Sequence, residues 1–361
     1  MISFHELAMP IWGFSQSPSP IPTARSIPRL VVASTPSVTA RERGLMSISG
    51  IGRSYAARTC QIGRAVRRTD ARMRVLQAGG ASVVGMIQVG LSTISVFPKG
   101  VEDGFRLAHE AGYDGVEVMV TTDAKTRSPE KLLELSERYQ QPIMAIHAPV
   151  VLLTTFVWGR DPFVKLDRSA ALAVSVGAPT VVVHPPFRWQ GKYASTFTDA
   201  VRTTEQKHGI EVAVENMFPW SMGGADRQAY LPGIDPSEMD VDHATLDFSH
   251  CALARRDSMQ LALDLGDRLR HLHLTDGVAA DEDKVFDEHL IPGHGNEPVA
   301  EVLQMLAAKQ WTGQVIAEIK TRHARSERDR LRLLVETLEF AREHLGQNAP
   351  ADEGADAEAR P

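Results

Sequence analysis

The sequence predicts an α/β protein built as a closed (β/α)8 barrel over residues 86–346, with an N-terminal extension, 1–85, and a short acidic tail, 347–361, both expected to be disordered. Three observations lead there. From Met86, short β-branched or Leu-rich runs alternate with amphipathic segments at a repeat of roughly 30 residues, the size of a βα unit. Eight such runs follow one another. The runs that would form strands three to eight each stop at an acidic residue or a histidine, a side chain for which an apolar strand has no local use.

The elements follow in order. Gln88 to Ser92 reads as strand one and Val101 to Ala111 as an amphipathic helix closed by Gly112. Gly115 to Met119 is strand two, and Ser128 with Pro129 marks the start of a helix reaching Tyr139. Ile143 to His147 is strand three, Asp161 to Val176 a helix ended by Gly177, and Thr180 to His184 strand four. A helix near Ser195 to His208 leads to strand five, Glu211 to Glu215, and a long loop runs to strand six, Ala244 to Asp247. Met259 to Leu265 is helical, His271 to Leu274 is strand seven, Pro298 to Lys309 is helical, Gln314 to Glu318 is strand eight, and Ser326 to His344 is the last helix. Eight strands with right-handed parallel crossovers give a TIM barrel of roughly the usual ~250 residues.

Charge separates the extension from the barrel. Residues 1–85 are rich in Ser, Pro, Ala and Arg, lack Lys, and carry eleven Arg against three acidic residues, which leaves −14 for residues 86–361 of the overall −6. That extension reads as a targeting peptide, a nucleic-acid arm or a misassigned start, with Met86 as an alternative initiator. A barrel so negative is poorly suited to polyphosphate backbones, so nucleic acid is not expected as a partner. The two cysteines, Cys60 and Cys251, are too few for a disulfide framework or a thiolate cluster, and a reducing cytoplasm fits. The longest apolar stretch, Ala170 to Val183, is interrupted and too short for a membrane span.

In a parallel barrel, chemistry sits at the carboxyl ends of the strands. Glu215, Asp247, His273 and Glu318, from strands five to eight, would therefore face one mouth, where neighbouring carboxylates repel unless a cation lies between them. Three carboxylates and one imidazole suit Mn2+ or Mg2+, and would also accept Zn2+ or Co2+. His147, His184, His250, Asp287 and His289 are further candidates for metal or substrate, the last two on a glycine-bearing loop after strand seven. His271 is expected to point away from the face used by His273. Aromatic-x-aromatic pairs follow strands three, four and five: Phe156/Trp158, Phe187/Trp189 and Phe218/Trp220. Their rings either stack on the apolar face of a sugar or pack the loops. Arg188, Lys192, Lys320 and Arg322 either bind a phosphate or carboxylate or are solvated surface charge. Cys251, next to His250 on a strand-like backbone, would point off the site. No phosphate-binding glycine loop or nucleophile elbow competes with the metal reading.

The motifs GYDGVEV, IHAP, VVVHPP, VENM, LDFSH, HLHLTDG, HLIPGHG and AEI, in that order over about Met86 to Leu345, resemble those of the xylose isomerase-like TIM barrels. That family includes sugar phosphate isomerases/epimerases and the AP endonuclease family 2 enzymes. The resemblance implies one metal held by Glu215, Asp247, His273 and Glu318. It also implies that Glu215 and Glu318 exchange protons from opposite faces of the sugar, and that His250 contacts substrate. The endonuclease branch implies instead three zinc ions, whose additional ligands would fall on His147, His184, His250, Asp287 and His289.

The expected activity is thus a metal-dependent isomerase or epimerase of a small sugar or sugar phosphate, working through an enediolate, with Trp158, Arg188, Trp189, Trp220 and Lys320 as pocket candidates. The alternatives are a zinc-dependent phosphoesterase resembling the AP endonucleases and a non-catalytic sugar-binding barrel. A homo-oligomer is compatible with either.

Overall fold

The computed structural model describes residues 86–149, 154, 156–219, 229–279 and 287–347. The expectations for 1–85, Cys60, Trp220 and the tail from 348 lie outside them. Eight parallel strands close into a barrel in sequence order, with β1 pairing β8. They are β1 (Gln88–Ser92), β2 (Gly115–Met119), β3 (Ile143–His147), β4 (Thr180–Val183), β5 (Glu211–Glu215), β6 (Ala244–Asp247), β7 (Leu269–Leu274) and β8 (Gln314–Ala317). Strand four therefore stops one residue before His184 and strand eight one before Glu318, while strand seven begins two residues before the expected start.

Around the sheet lie α1 (Val101–Ala111), α2 (Pro129–Tyr139), α3 (Pro162–Val176), α4 (Lys192–Ser195), α5 (Phe197–His208), α6 (Phe248–Ala254), α7 (Ser258–Leu265), α8 (Val299–Ala308) and α9 (Glu327–His344). Side chains cap several of their starts: Ser128, as expected, accepts from the Lys131 amide, Asp161 from Phe163, and Ser326 from Asp329. In α1 the buried positions Val101, Gly104, Phe105, Leu107 and Ala108 fall three and four apart, so one face meets the sheet. One apolar layer, including Phe105, Leu132, Leu261, Leu303 and Leu334, joins helices to strands around the ring.

Two segments differ from the sequence expectation for local reasons. The helix before β5 is two helices, α4 and α5, broken at Thr196. Helix α6 was not anticipated. It begins at once after β6 because Asp247 is both the last strand residue and the N-cap, accepting from the His250 amide at 2.8 Å. Cys251 thus lies on a helix rather than a strand, buried, with Asn216 Nδ2 donating to its sulfur at 3.3 Å.

The loop after β7 is fixed by one buried carboxylate. Asp276 accepts from the amides of Gly277 (2.8 Å), Gly293 (2.9 Å), Gly295 (2.9 Å) and Glu297 (3.1 Å). Its backbone also bridges to Leu290 in both directions, which brings the loop carrying Asp287 and His289 back over the strand ends. Among the described residues no helix is long and apolar enough to cross a membrane.

Two stability predictions follow from this packing. A Cβ at Gly115 would lie 2.5 Å from the Pro142 carbonyl oxygen and 2.8 Å from Met144 Cγ. Gly115→Ala should cost about 1–3 kcal/mol through overpacking, read as a lower midpoint of thermal unfolding. Asp276→Asn replaces an acceptor oxygen by an NH2 facing amide donors. It should cost roughly 2–4 kcal/mol and speed hydrogen exchange of residues 290–297 more than that of the strands.

Candidate functional site

Contacts between non-adjacent strands place the functional side chains inside the barrel. Glu215 at the end of β5 meets His147 from β3 and His273 from β7, and Glu117 of β2 meets His271 and His273 of β7. Only inward-pointing residues can make such contacts.

Glu215 is the hub. Its Oε2 lies 2.9 Å from His184 Nε2 and 3.3 Å from His147 Nε2, and its Oε1 lies 3.0 Å from His273 Nδ1 and 3.3 Å from His250 Nδ1. Asp247 Oδ2 stands 3.5 Å from His273 Nδ1, so Glu215, Asp247 and His273 form one close group of ligating atoms. Glu318 approaches the other side of the same imidazole, its Oε2 lying 3.4 Å from His273 Nε2. Of the four residues expected to share an ion, Glu215 and Asp247 thus face Nδ1 of the His273 ring and form the close group with it, while Glu318 stands at Nε2.

Two further groups flank this one. His147, His184 and Glu215 form the first, and Asp247, His250 and His289 the second. Asp287 joins the second through His289, whose Nε2 lies 2.7 Å from Oδ2, while Ser249 Oγ donates to Oδ1 at 2.7 Å. Backbone carbonyls fix three of these imidazoles. His147 Nδ1 faces the Ala148 oxygen, His250 Nδ1 the Asn216 oxygen and His289 Nδ1 the Glu318 oxygen, each at 2.9 Å. A carbonyl only accepts, so each Nδ1 carries a proton; Nε2 then faces a carboxylate in His147 and His289, whereas His250 turns the same Nδ1 to Glu215. His289 holds this pose at φ 43°, a left-handed backbone uncommon for a residue with a side chain.

The electrostatics are those of a crowded buried cluster. Burial alone would raise the Glu215 carboxyl, but His273, His184 and His147 hold it well below the usual carboxylate range. Asp247 is held down against burial by His250 and His273, and Asp287 by His289 and Lys320. Glu318 goes the other way, its desolvation only partly offset by His273, His289 and His147. Burial opposes charge on His273, yet Glu318, Glu215 and Glu117 raise it well above its ordinary value. His250, likewise opposed by burial, is pushed up to about 10 by Asp247 and Glu215.

A divalent cation fits this donor set on a separate ground. Asp247 Oδ2 and Glu318 Oε2 are buried and make no hydrogen bond, which leaves carboxylate lone pairs without a compensating partner. Oxygen-rich ligation by Glu215, Asp247 and Glu318 with His273 matches a hard or borderline ion. The imidazole-rich flanking groups match zinc or cobalt better than magnesium.

Sequence reasoning gives Glu117 and Asn216 no role here and turns His271 the wrong way. Glu117 and His271 are fully buried under the mouth, and His271 points into the barrel alongside His273, with ring centroids 4.9 Å apart, rather than away from it. Asn216, within the VENM motif, brackets β6: its Nδ2 donates to the Asp247 carbonyl at 3.0 Å and its Oδ1 accepts the Asp247 amide at 2.7 Å. The charged position inside VEV and the two-residue spacing of HLH were the available signals.

The pocket candidates divide. Trp158 is partly buried against the main core, so its ring packs the β3 loop. Trp189 is 52% exposed and stacks on Phe187 at 4.3 Å, which stacks in turn on Tyr230. Phe187, Phe218, Met217, Tyr230 and Leu253 make a second apolar cluster, and the Phe218 ring lies 5.0 Å from His250, so Phe187 after β4 and Phe218 after β5 form a wall of the mouth. Arg188 is exposed and its amide donates to Ala229. Lys320 bonds the Asp287 carbonyl and stands 3.8 Å from its carboxylate, so it braces the ligand loop.

Comparison with known proteins agrees with this architecture. An uncharacterized protein of Mycobacterium tuberculosis is 44% identical over 278 residues, covering 72% of this chain and 98% of that protein. Fructoselysine 3-epimerase of Escherichia coli O157:H7 is 23% identical over 244 residues, covering 61% and 86%. The solved structure of a D-tagatose 3-epimerase-like protein superposes with a TM-score of 0.53 at 24% identity, covering 71% of this chain and 99% of that one, a likeness of fold. The profile of one family matches residues 105–344, and the chain belongs to that family, the xylose isomerase-like TIM barrels.

Proposed function

We propose that this protein is a metal-dependent isomerase or epimerase of a small sugar or sugar phosphate. The observation that carries the reading is the placement of two glutamates on opposite sides of one imidazole: Glu215 at Nδ1 of His273 and Glu318 at Nε2. A sugar seated over that ring has a carboxylate on each side of its reacting carbon. Similarity to sugar epimerases at the level of the family supports the same class of reaction.

Glu215, Asp247, His273 and Glu318 are the residues assigned to the ion. A divalent ion there would supply positive charge to offset the negative charge that develops on the substrate oxygens. One glutamate removes the proton from the carbon next to the carbonyl and the other returns a proton to it, from the opposite face for epimerisation. The aromatic wall of Phe187, Phe218 and Tyr230 excludes water from one side of the mouth. Asn216 fixes Asp247 and His250 through its three backbone hydrogen bonds, so both stay in place as substrate enters.

A second reading rests on a specific feature. The two flanking groups exceed what one ion requires and suit a three-zinc phosphoesterase in which clustered metals activate water. The negative charge of the barrel stands against a nucleic-acid substrate.

Two measurements test the proposal. Wild-type protein should incorporate deuterium from D2O next to the carbonyl of a ketose or ketose phosphate. Glu318→Gln should lower that rate by about 10²–10⁴ with an unchanged circular dichroism spectrum, and full retained exchange would remove the proton-transfer role. Elemental analysis of metal-replete protein should give one manganese or magnesium per chain, whereas three zinc ions with phosphodiester cleavage would establish the second reading.

A further inference from the structure

Below the mouth, a buried carboxylate has been left without a role. Glu117 sits in the middle of β2, fully buried, and its side chain crosses the barrel to β7. Its Oε2 lies 3.1 Å from His271 Nε2 and its Oε1 3.4 Å from His273 Nε2, while Ser92 Oγ of β1 donates to Oε1 at 3.1 Å. His271 is fully buried, and neither of its ring nitrogens makes a well-aligned hydrogen bond. Such a group in a barrel interior carries a desolvation cost that a Leu or Val would avoid.

We propose that Glu117 is a positioning residue for His273. Anchored by Ser92 and backed by His271, its carboxylate stands 3.4 Å from His273 Nε2, an atom with no hydrogen-bond partner of its own, and there favours the tautomer protonated at Nε2, which leaves Nδ1 to Glu215 and Asp247. Glu318 reaches the same Nε2, but it is assigned to the ion and the reacting carbon, which leaves Glu117 as the carboxylate with no other task. His271 occupies the far side of Glu117 and keeps it from swinging down the barrel. The chemistry is that of an outer carboxylate that sets the tautomer and orientation of a ligating imidazole. This assignment rests on the reading of Glu215, Asp247, His273 and Glu318 as a metal site.

The test is titration of the metal-free full chain with Mn2+, following free Mn2+ by electron paramagnetic resonance, together with the visible absorption spectrum of the Co2+-loaded protein. Glu117→Gln, which keeps the volume and removes the charge, should weaken Mn2+ binding by about 10–100-fold and shift the Co2+ bands. Ser92→Ala, which leaves every charge in place, should weaken binding less and in the same direction; it decides the matter if Glu117→Gln does not fold. Mn2+ affinity and Co2+ bands unchanged in both variants, with a wild type that binds the ions, overturn the role of Glu117 alone. A wild type that takes up neither ion overturns the metal-site reading and this assignment with it.

Discussion

Among the described residues, and apart from Asp276 in its ring of loop amides, five carboxylates and five imidazoles are buried in the barrel or over its mouth: Glu117, Glu215, Asp247, Asp287 and Glu318 with His147, His250, His271, His273 and His289. No packing term compensates so much desolvation, since an apolar residue of similar size would be tolerated at each position at lower cost. The mutual attraction of carboxylate and imidazole offsets part of it, as the opposed shifts of Glu215 and His273 show. The remainder lies at Asp247 Oδ2, Glu318 Oε2, His273 Nε2, Glu117 Oε2 and both nitrogens of His271, where no hydrogen bond forms. The rest of the molecule is arranged around holding that cluster together.

That arrangement depends on the parallel barrel more than on any single contact. With all strands running the same way, the ends of β3 to β8 share one rim, and residues up to 171 positions apart, such as His147 and Glu318, come within electrostatic reach. Several devices then act on the rim. Asp247 spends one oxygen capping α6, which fixes the direction of His250, and keeps the other for the cluster. Asp276 gathers four loop amides and returns the segment bearing Asp287 and His289 to the same rim. Lys320 braces that segment from β8's extension.

Much of this was legible in the sequence because two signals are periodic. The βα repeat located the strands to within one or two residues, and the polar residue at the end of each apolar run marked the rim. What escaped lies where those signals fail. Glu117 and His271 are inside strands, two residues below the rim; a search confined to strand ends misses the inward position one pleat earlier, although an acid between two valines is an audible signal. For His271 the expectation was of the wrong sign, because the strand keeps its register from His271 through Leu274 and residues two apart share a face. Helix α6 escaped because Asp247 was read only as a ligand, and a residue with two roles hides one of them.

The tautomers belong to a different class of information. Whether a histidine offers Nδ1 or Nε2 depends on which carbonyl the chain brings beside it, and no spacing in the sequence encodes that. Here the carbonyls of Ala148, Asn216 and Glu318 each take one Nδ1, two of them from the residue next to, or identical with, a cluster glutamate. For His147 and His289 the backbone therefore also selects Nε2 as the nitrogen facing a carboxylate. His273 lacks such a carbonyl and meets carboxylates at both nitrogens instead, which makes its orientation a matter of charge balance rather than of backbone geometry. The residue at the centre of the site is thus the one held least by the chain itself and most by its charged neighbours.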